Sequence, residues 1–271
     1  SLLARARLVG VVGTDFDEAH VTMLRERGID TTGLERVGGK TFRWAGRYAS
    51  DLGSRTTLDT QLNVFADFRP KIPADYRSSP FVLLGNIHPK LQLEVLTQVE
   101  RPKLVAADTM NFWISGEPHA LGEVLKKVDL LIINDEEARE LSGIHNITKA
   151  AADIRKRGPS RLIIKRGEHG ALLFDEKGMF FAPGYPLEEV VDPTGAGDTF
   201  AGGLMGYLAR HGDASPATLR RAIFFGSALA SFCVEGIGTT RLAAVTRADL
   251  AGRIEAFSKL VDYGGNLALV E

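Results

Sequence analysis

The sequence predicts an α/β fold whose central sheet is mostly parallel. Between residues 81 and 165, short continuous apolar runs alternate with segments of helical spacing. A strand that is covered on both faces needs a continuous apolar run, and a helix between two parallel strands makes a right-handed crossover. The last third of the chain has helical spacing almost throughout. In folds of this class, ligands bind at the carboxyl ends of the parallel strands.

The first third of the chain predicts a strand at 7–13 and a helix at 17–27 that ends at a glycine. Segments 38–49 and 57–68 mix aromatic and β-branched residues with Arg and Asp, which favours two exposed strands. Residues 51–55 supply a turn between them. The apolar runs predict further strands at 81–85, 103–108, 129–133 and 161–165.

The remaining helical segments complete the prediction. Helical spacing predicts helices at 89–99, 118–127, 148–157, 196–211, 216–234 and 246–261. Gly202 and Gly203 lower the helix propensity of the segment 196–211, and a close approach to the sheet or to a nucleotide would explain them. The tail from Gly264 is expected to be loosely ordered.

The composition limits the class of protein. The 271 residues carry a net charge of −1 and no long basic run, which argues against nucleic acid as a partner. No stretch of about 18 apolar residues is present, so no membrane span is predicted. The single cysteine, Cys233, lies in an apolar run, so we expect a buried thiol and no cysteine zinc site. Because no signal peptide is visible, we expect a cytoplasmic protein.

A glycine-rich turn in front of a predicted helix carries the strongest chemical signal. Gly195, Ala196 and Gly197 stand directly before Asp198, and apolar residues follow at helical spacing. Small residues at the start of a helix leave backbone N–H groups open to an anion. An aspartate beside that anion can accept a proton from a hydroxyl group. An anion cradle with a base is the minimal equipment for phosphoryl transfer to an alcohol.

A second motif follows the apolar run at 130–133. Asn134 and Glu137 lie three residues apart at the start of a predicted helix, which places them on one face. One carboxylate and one amide suffice for Mg²⁺, which favours oxygen ligands and keeps several waters. The same spacing is also typical of a helix N-cap with a capping box. Both interpretations stay open, and they are compatible with each other.

Three segments resemble the PfkB, or ribokinase-like, family of sugar and nucleoside kinases. The run at 191–203 resembles the family's D-T-x-G-A-G-D signature, and the segment 134–137 resembles its N-x-x-E motif. Residues 162–171 resemble the family's strand and G-x-x-G turn near the nucleotide, although an ordinary β-turn between two strands also explains them. The resemblance extends from about residue 8 to about residue 262.

The resemblance implies a ribokinase-like three-layer α/β/α sandwich with a mostly parallel central sheet. One kinase domain would span residues 1–271, with a small β-sheet lid at about 36–68 over the sugar site, where a plain surface hairpin is the alternative. The lid in this family often makes a dimer contact, which leaves a homodimer through the lid open. Family members usually begin with a strand that carries a substrate-binding aspartate, followed by a Gly-Gly segment. Neither is visible before residue 8, so we expect both to be missing from this sequence.

The implied activity is transfer of the γ-phosphoryl group of ATP to a hydroxymethyl group of a sugar or nucleoside, with Mg²⁺ as a cofactor. Asp198 would be the catalytic base. The residues that bind phosphate would be Thr194, Gly195, Ala196 and Gly197. The residues that contact the nucleotide would be Asn134, Lys165, Gly167 and Gly170. Asn134 and Glu137 would hold Mg²⁺ and its waters. Some family members also bind K⁺ beside this loop, a requirement that the sequence leaves open.

Acceptor contacts are expected from two regions of the chain. Arg43 and Trp44 belong to the lid segment, and Asn86, Asp108 and Asn111 lie at or after the ends of predicted strands. Many sugar-kinase relatives have D-P-N-x-R at a position where this chain keeps Asp108 but has no matching arginine. This difference argues against a phosphosugar bound through that arginine. The sequence does not separate ribose-like sugars from nucleosides as acceptors.

Other classes of protein compete with the kinase. A non-catalytic sugar- or nucleotide-binding regulator could share the fold, although a regulator need not keep Asp198 together with Asn134 and Glu137. A dehydrogenase-like dinucleotide binder is disfavoured because the glycines at 236–238 follow a predicted helix rather than a first strand. A P-loop enzyme is disfavoured because no G-x-x-x-x-G-K-[ST] pattern occurs.

Overall fold

The central sheet is mostly parallel in the computed structural model, which describes residues 1–48 and 55–262. The strands in this part of the chain are β1 (Ala6–Val12), β2 (Ile29–Arg36), β3 (Arg43–Tyr48), β4 (Arg55–Gln61), β5 (Phe81–Leu84), β6 (Leu104–Ala107), β7 (Leu130–Asn134), β8 (Arg161–Lys165), β9 (Ala171–Asp175) and β10 (Gly178–Ala182). The central sheet has the order β10–β9–β8–β7–β6–β5. Strands β5 to β8 are parallel, while β9 and β10 are antiparallel to their neighbours. The predicted sheet type is confirmed.

Every helix predicted from the sequence is present and lies close to its predicted ends. The helices of the described residues are α1 (Glu18–Glu26), α2 (Ala74–Arg77), α3 (Pro89–Gln98), α4 (Asn111–Gly116), α5 (Pro118–Leu125), α6 (Asp135–Ser142), α7 (Ile147–Lys156), α8 (Ala196–His211), α9 (Pro216–Cys233), α10 (Thr240–Ala244) and α11 (Arg247–Val261). Within the same residues, no helix combines the length and the apolar character that crossing a bilayer requires.

Helices cover both faces of the central sheet because side chains alternate along its strands. In β7, Leu130 and Ile132 pack in one cluster with α8 and α9, whereas Leu131 and Ile133 pack in another with α5 and α7. All four side chains are fully buried, and each contributes about 1.5–3 kcal/mol of hydrophobic stabilisation. A continuous apolar run is therefore required in this strand, and the predicted three-layer arrangement is confirmed.

Two small sheets precede the central sheet in the chain. β1 and β2 pair in parallel, and β3 and β4 pair antiparallel. The antiparallel pair confirms the two predicted exposed strands, although they are shorter than predicted, and residues 63–65 form a turn of 3₁₀ helix instead. β2 was not predicted, because Ile29–Arg36 has neither an apolar run nor a strict alternation. The predicted turn at 51–55, apart from its last residue, and the tail from Gly264 lie outside the described residues.

The two adjacent glycines of α8 have different surroundings. A Cβ atom on Gly203 would lie 2.9 Å from Leu229 Cδ1 and 3.0 Å from the Cα of Gly226, both in α9. A Cβ atom on Gly202, which is exposed, would have no such neighbour within 4 Å among the residues that the structure describes. Gly203 therefore permits close packing of α8 against α9 rather than against the sheet, so the expected approach to the sheet is wrong for this glycine. Gly202 has no packing neighbour among the described residues, and a contact between it and a nucleotide stays a prediction.

These neighbours give opposite predictions for one pair of substitutions. Gly203→Ala should lower the free energy of unfolding by about 1–3 kcal/mol, since the new methyl group overpacks the α8–α9 contact. Gly202→Ala should raise it by about 0.5–1 kcal/mol, because alanine has the higher helix propensity in an exposed position. Urea unfolding of both variants measures the difference. Equal effects of the two substitutions would contradict the packing described for Gly203.

Candidate active site

Several predicted site residues meet at one edge of the central sheet. Asn134 is the last residue of β7 and Lys165 is the last residue of β8, and the two are direct partners across the parallel pair. Asp108 follows β6, and its backbone N–H donates to the carbonyl oxygen of Leu84 at 3.0 Å, at the end of β5. The carboxyl ends of four parallel strands thus form the edge where ligands bind in folds of this class.

The glycine-rich turn brings the N-terminus of α8 to this edge. Gly195 is the N-cap of α8 and has φ +81°, in the left-handed region that glycine favours. In α1, α3, α6, α7, α9 and α11, the side chain of the N-cap accepts a hydrogen bond from a backbone N–H of the first turn. In α8 no side chain of residues 1–48 or 55–262 caps the first turn. The N–H of Ala196 donates to the carbonyl oxygen of Pro193 at 3.2 Å, so the N–H groups that follow it in the first turn are the ones available to an anion, at the positive end of the helix.

The loop before α8 is held from three directions. The backbone N–H of Thr194 donates to Asp192 Oδ1 at 2.9 Å, and the Cys233 thiol donates to the carbonyl oxygen of Thr194 at 3.6 Å. The Thr194 hydroxyl donates to the hydroxyl oxygen of Tyr48, in the small antiparallel sheet, at 3.1 Å. Cys233 is buried as predicted, and burial raises the pKa of its thiol. The thiol therefore stays protonated and can serve as this donor.

Asn134 and Glu137 form a capping box at the start of α6. Asn134 Oδ1 accepts from the N–H of Glu137 at 2.8 Å, and Glu137 Oε2 accepts from the N–H of Asn134 at 2.8 Å. Glu137 is buried, with 5% of its surface exposed. The capping interpretation of this motif is therefore correct. Within residues 1–48 and 55–262, no three His, Cys, Asp or Glu side chains are grouped so that they could hold a metal ion by themselves.

Lys165, Asp108 and Asp198 interact electrostatically at this edge. Burial raises the pKa of the Asp108 carboxyl, and the neighbouring Lys165 ammonium acts in the opposite direction. The nearby Asp198 carboxylate adds to the increase. The backbone N–H of Thr109 donates to Asp108 Oδ1 at 2.9 Å and favours the charged form. The charges of Lys165 and Asp198, which lie in separate segments of the sequence, therefore both act on Asp108 at this edge.

The raised pKa of Asp108 predicts a pH-dependent gain in stability for Asp108→Asn. A carboxyl whose pKa is higher in the folded state destabilises the fold once pH rises above that value, and has no such effect below its ordinary pKa of about 3.9. The variant should therefore unfold at a higher temperature than the wild type at pH 7. The difference should shrink as pH falls toward 4, which thermal unfolding across pH 4–8 measures. A difference that stays constant with pH would contradict the burial argument.

The two glycines predicted to contact a nucleotide have different surroundings. Gly170 has φ +84°, and a Cβ atom there would collide with the carbonyl oxygen of Ala182. Gly170 is therefore explained by the close packing of two backbone segments. Gly167 begins a turn of 3₁₀ helix with φ +56°, and a Cβ atom there would have no neighbour within 4 Å in the described ranges 1–48 and 55–262. A contact with nucleotide at either glycine stays a prediction.

The acceptor candidates near the strand ends are held by neighbouring side chains. Asn86 Oδ1 accepts from the Trp113 indole N–H at 2.9 Å, and Asn86 Nδ2 donates to Met110 Sδ at 3.0 Å. Asn111 Nδ2 donates to Glu140 in α6 and so links α4 to that helix. Asn86 and Asp108 therefore share this edge with the cradle, while the Asn111 amide is engaged with a helix.

The lid candidates lie on β3. Arg43 is its exposed first residue, and the Trp44 indole N–H donates to Thr57 Oγ1 of β4 at 3.2 Å. The Trp44 ring covers Gly46, where a Cβ atom would collide with it. Tyr48, at the other end of β3, contacts the loop before α8 through its hydrogen bond with Thr194. Arg43 and Trp44 take no part in this hydrogen bond, and their contact with an acceptor stays a prediction.

Two contributors to this edge were missed by sequence reasoning. Gln92 in α3 is 1% exposed, and its Nε2 donates to the carbonyl oxygens of Gly85 at 2.9 Å and Asp108 at 3.0 Å. It thereby joins the ends of β5 and β6. A glutamine on the apolar side of a helix is a signal that could have found it. Tyr48 offers no such signal, because its contact with Thr194 spans 146 residues.

The carboxyl edge of the mostly parallel sheet carries a glycine-rich turn, aspartates and a lysine. These groups are the ones that an enzyme of phosphoryl transfer needs. A family model described as pfkB family carbohydrate kinase matches residues 1–246. The chain therefore belongs to the pfkB family of carbohydrate kinases, and it is a carbohydrate or nucleoside kinase. This result supports the predicted enzyme and gives no support to the non-catalytic regulator.

Individual relatives agree with this assignment. A cytidine kinase of Thermococcus kodakarensis is 30% identical over 212 residues, which cover 76% of this chain and 75% of that protein. An aminoimidazole riboside kinase of Salmonella typhimurium is 37% identical over 106 residues, 39% of this chain and 33% of that protein. The crystal structure of a Thermotoga maritima ribokinase matches with a TM-score of 0.73 at 25% identity, covering 93% of this chain and 81% of the other. A Burkholderia thailandensis nucleoside kinase in complex with inosine shares the fold, also with a TM-score of 0.73.

Proposed function

We propose that this chain transfers the γ-phosphoryl group of ATP to a hydroxymethyl group of a sugar or nucleoside. The observation that carries the proposal is the uncapped N-terminus of α8, with Asp198 in its first turn, at the same edge as Asp108 and Lys165. The N–H groups of this turn supply partial positive charge for an anion, and Asp198 supplies a proton acceptor.

The proposed reaction divides between the carboxylate and the cradle. The acceptor oxygen bonds to the γ-phosphorus while the bond to the bridging oxygen of ATP breaks, and that electron pair leaves with ADP. The hydroxyl proton passes to the carboxylate of Asp198. The backbone N–H groups of Gly197 and Asp198 stabilise the charge on the phosphoryl oxygens in the transition state. Thr194, Gly195 and Ala196 shape the turn that presents these groups.

The donor set at α6 suits Mg²⁺ better than a metal that needs a protein cage. Mg²⁺ is typically held by one or two carboxylates, waters and substrate phosphates. Glu137 supplies one carboxylate and Asn134 one amide oxygen at the correct edge, and both would act through water because both already serve the capping box. Bound there, the ion would neutralise charge on the phosphates of ATP.

The finer assignments stay proposals. Asn86 and Asp108 would contact the acceptor, and a nucleoside is favoured for testing by the cytidine kinase relative. Lys165 and Gly167 would face the nucleotide. A requirement for K⁺, dimerisation through the small antiparallel sheet and a cytoplasmic location remain predictions from the sequence and the resemblance.

The test is ADP release by the protein with ATP and Mg²⁺ against a panel of acceptors. The panel holds cytidine, inosine, aminoimidazole riboside, ribose, deoxyribose and fructose, each with a partner that lacks the terminal hydroxyl group. We expect one acceptor to raise ADP release at least ~10²-fold above the rate without acceptor, and its deoxy partner to have no effect. ATP binding without stimulation by any acceptor of the panel would contradict the proposal.

A further inference from the structure

The side chain of Lys165 lies against the glycine-rich turn in front of Asp198. A Cβ atom built on Gly197 would be 2.9 Å from Lys165 Nζ and 3.9 Å from its Cε. The ammonium group therefore lies directly over the first turn of α8. The absence of a side chain at Gly197 leaves the space that this ammonium occupies.

The position is electrostatically unfavourable without an anion. The N-terminus of a helix carries partial positive charge, so a cation is normally placed at the opposite end. Here a lysine ammonium lies against an N-terminus that no side chain in the described part of the chain caps. The carboxylate of Asp108 interacts electrostatically with this ammonium and offsets part of the repulsion. An anion bound between the ammonium and the helix would remove the remainder.

We infer that Lys165 is a catalytic residue whose ammonium contacts the transferred phosphoryl group. The inference rests on the proposed function and deepens it, because it assigns the lysine to the reacting group rather than to the rest of the nucleotide. In the transfer, the acceptor oxygen bonds to phosphorus, the bond to the ADP oxygen breaks, and the proton goes to Asp198. Lys165 keeps its protons and stabilises charge on the phosphoryl oxygens, on the side opposite the N–H groups of α8.

A structural role predicts different behaviour. If Lys165 only compensates the buried charge of Asp108, its removal would lower the stability of the protein. The ratio of the affinity for a transition-state analogue to the affinity for ADP would then stay unchanged. If it binds only the ADP part of ATP, its removal would weaken ADP binding and turnover together. A group that acts on the transferred phosphoryl affects turnover and the analogue, but not ADP.

The experiment compares Lys165→Met and Lys165→Gln with the wild type. Turnover is measured with the best acceptor, and calorimetry measures the binding of ADP with Mg²⁺, with and without aluminium fluoride as a mimic of the phosphoryl group. Lys177→Met is the control, because this exposed lysine lies in the turn between β9 and β10. Thermal unfolding shows that each variant is folded.

We expect both Lys165 variants to lose about 10²–10³-fold in kcat, the range for removal of one transition-state donor. Their Kd for ADP should change by less than ~3-fold, and the tightening of ADP binding by aluminium fluoride should disappear. Unchanged kcat, or a loss of ADP affinity that matches the loss of turnover, would overturn the role inferred for Lys165 and leave the proposed function intact. A wild type that shows no acceptor-dependent turnover would overturn the proposed function as well.

Discussion

Asp198→Asn should lower kcat by about 10²–10⁴-fold and leave the affinity for ATP nearly unchanged. The amide has almost the volume of the carboxylate and keeps one oxygen at the start of α8, so the turn at Gly195 should persist. It cannot accept the proton of the acceptor hydroxyl, so the transition state loses its base. Steady-state kinetics with the best acceptor and ATP binding by calorimetry measure the two quantities.

The matched control is Asp192→Asn, in the loop before the same helix. Asp192 accepts a hydrogen bond from the N–H of Thr194, and an asparagine oxygen can replace that contact. We expect a loss of less than ~10-fold in kcat for this variant, because only loop geometry changes. An Asp198→Asn variant that turns over as fast as Asp192→Asn would show that Asp198 is not the base.

Glu137→Gln should raise the Mg²⁺ concentration for half-maximal activity by about 10–100-fold, the usual cost of losing a group that supports a bound metal through water. The substitution keeps an oxygen that can accept from the N–H of Asn134, so the capping box and the stability of α6 should be retained. Activity as a function of Mg²⁺ at saturating ATP measures the shift.

A second capping box supplies the control for this substitution. In α11, the N–H of Thr246 donates to Asp249 Oδ2 at 2.8 Å, in the same arrangement as Asn134 and Glu137. Asp249→Asn should leave the Mg²⁺ dependence unchanged.

Glu137→Ala should add a loss of about 1 kcal/mol in the free energy of unfolding, because the cap itself is weakened. The same Mg²⁺ dependence in Glu137→Gln and the wild type would assign Glu137 to the capping box alone.

The sequence predicted the parts of the fold that local pattern determines. Leu130 to Ile133 form a buried strand because each face of the sheet meets a helical layer, and an uninterrupted apolar run specifies that environment. Strand β2 has no such run, and its pairing with β1 depends on contacts between distant segments. Its position could therefore not be predicted from Ile29–Arg36 alone.

The candidate site was predictable in its components but not in its contacts. The spacing of Asn134 and Glu137 allowed a cap and a metal site, and only coordinates show the cap hydrogen bonds. Gly170 matched a nucleotide-binding pattern, yet the backbone at Ala182 is the neighbour that excludes a side chain there. The approach of Lys165 to Gly197 joins two motifs that are distant in the sequence, so it depends on the folded sheet and could not be derived from either motif.

The position of the transferred phosphoryl group is measured by ³¹P nuclear magnetic resonance of the product formed from ATP and the best acceptor. Transfer to a hydroxymethyl group predicts a new phosphomonoester signal that couples to two equivalent or near-equivalent protons of a CH₂ group, formed by the wild type and not by Asp198→Asn. Release of ADP with free phosphate as the sole new signal, or a phosphoester coupled to a ring CH proton, would contradict transfer to a hydroxymethyl group.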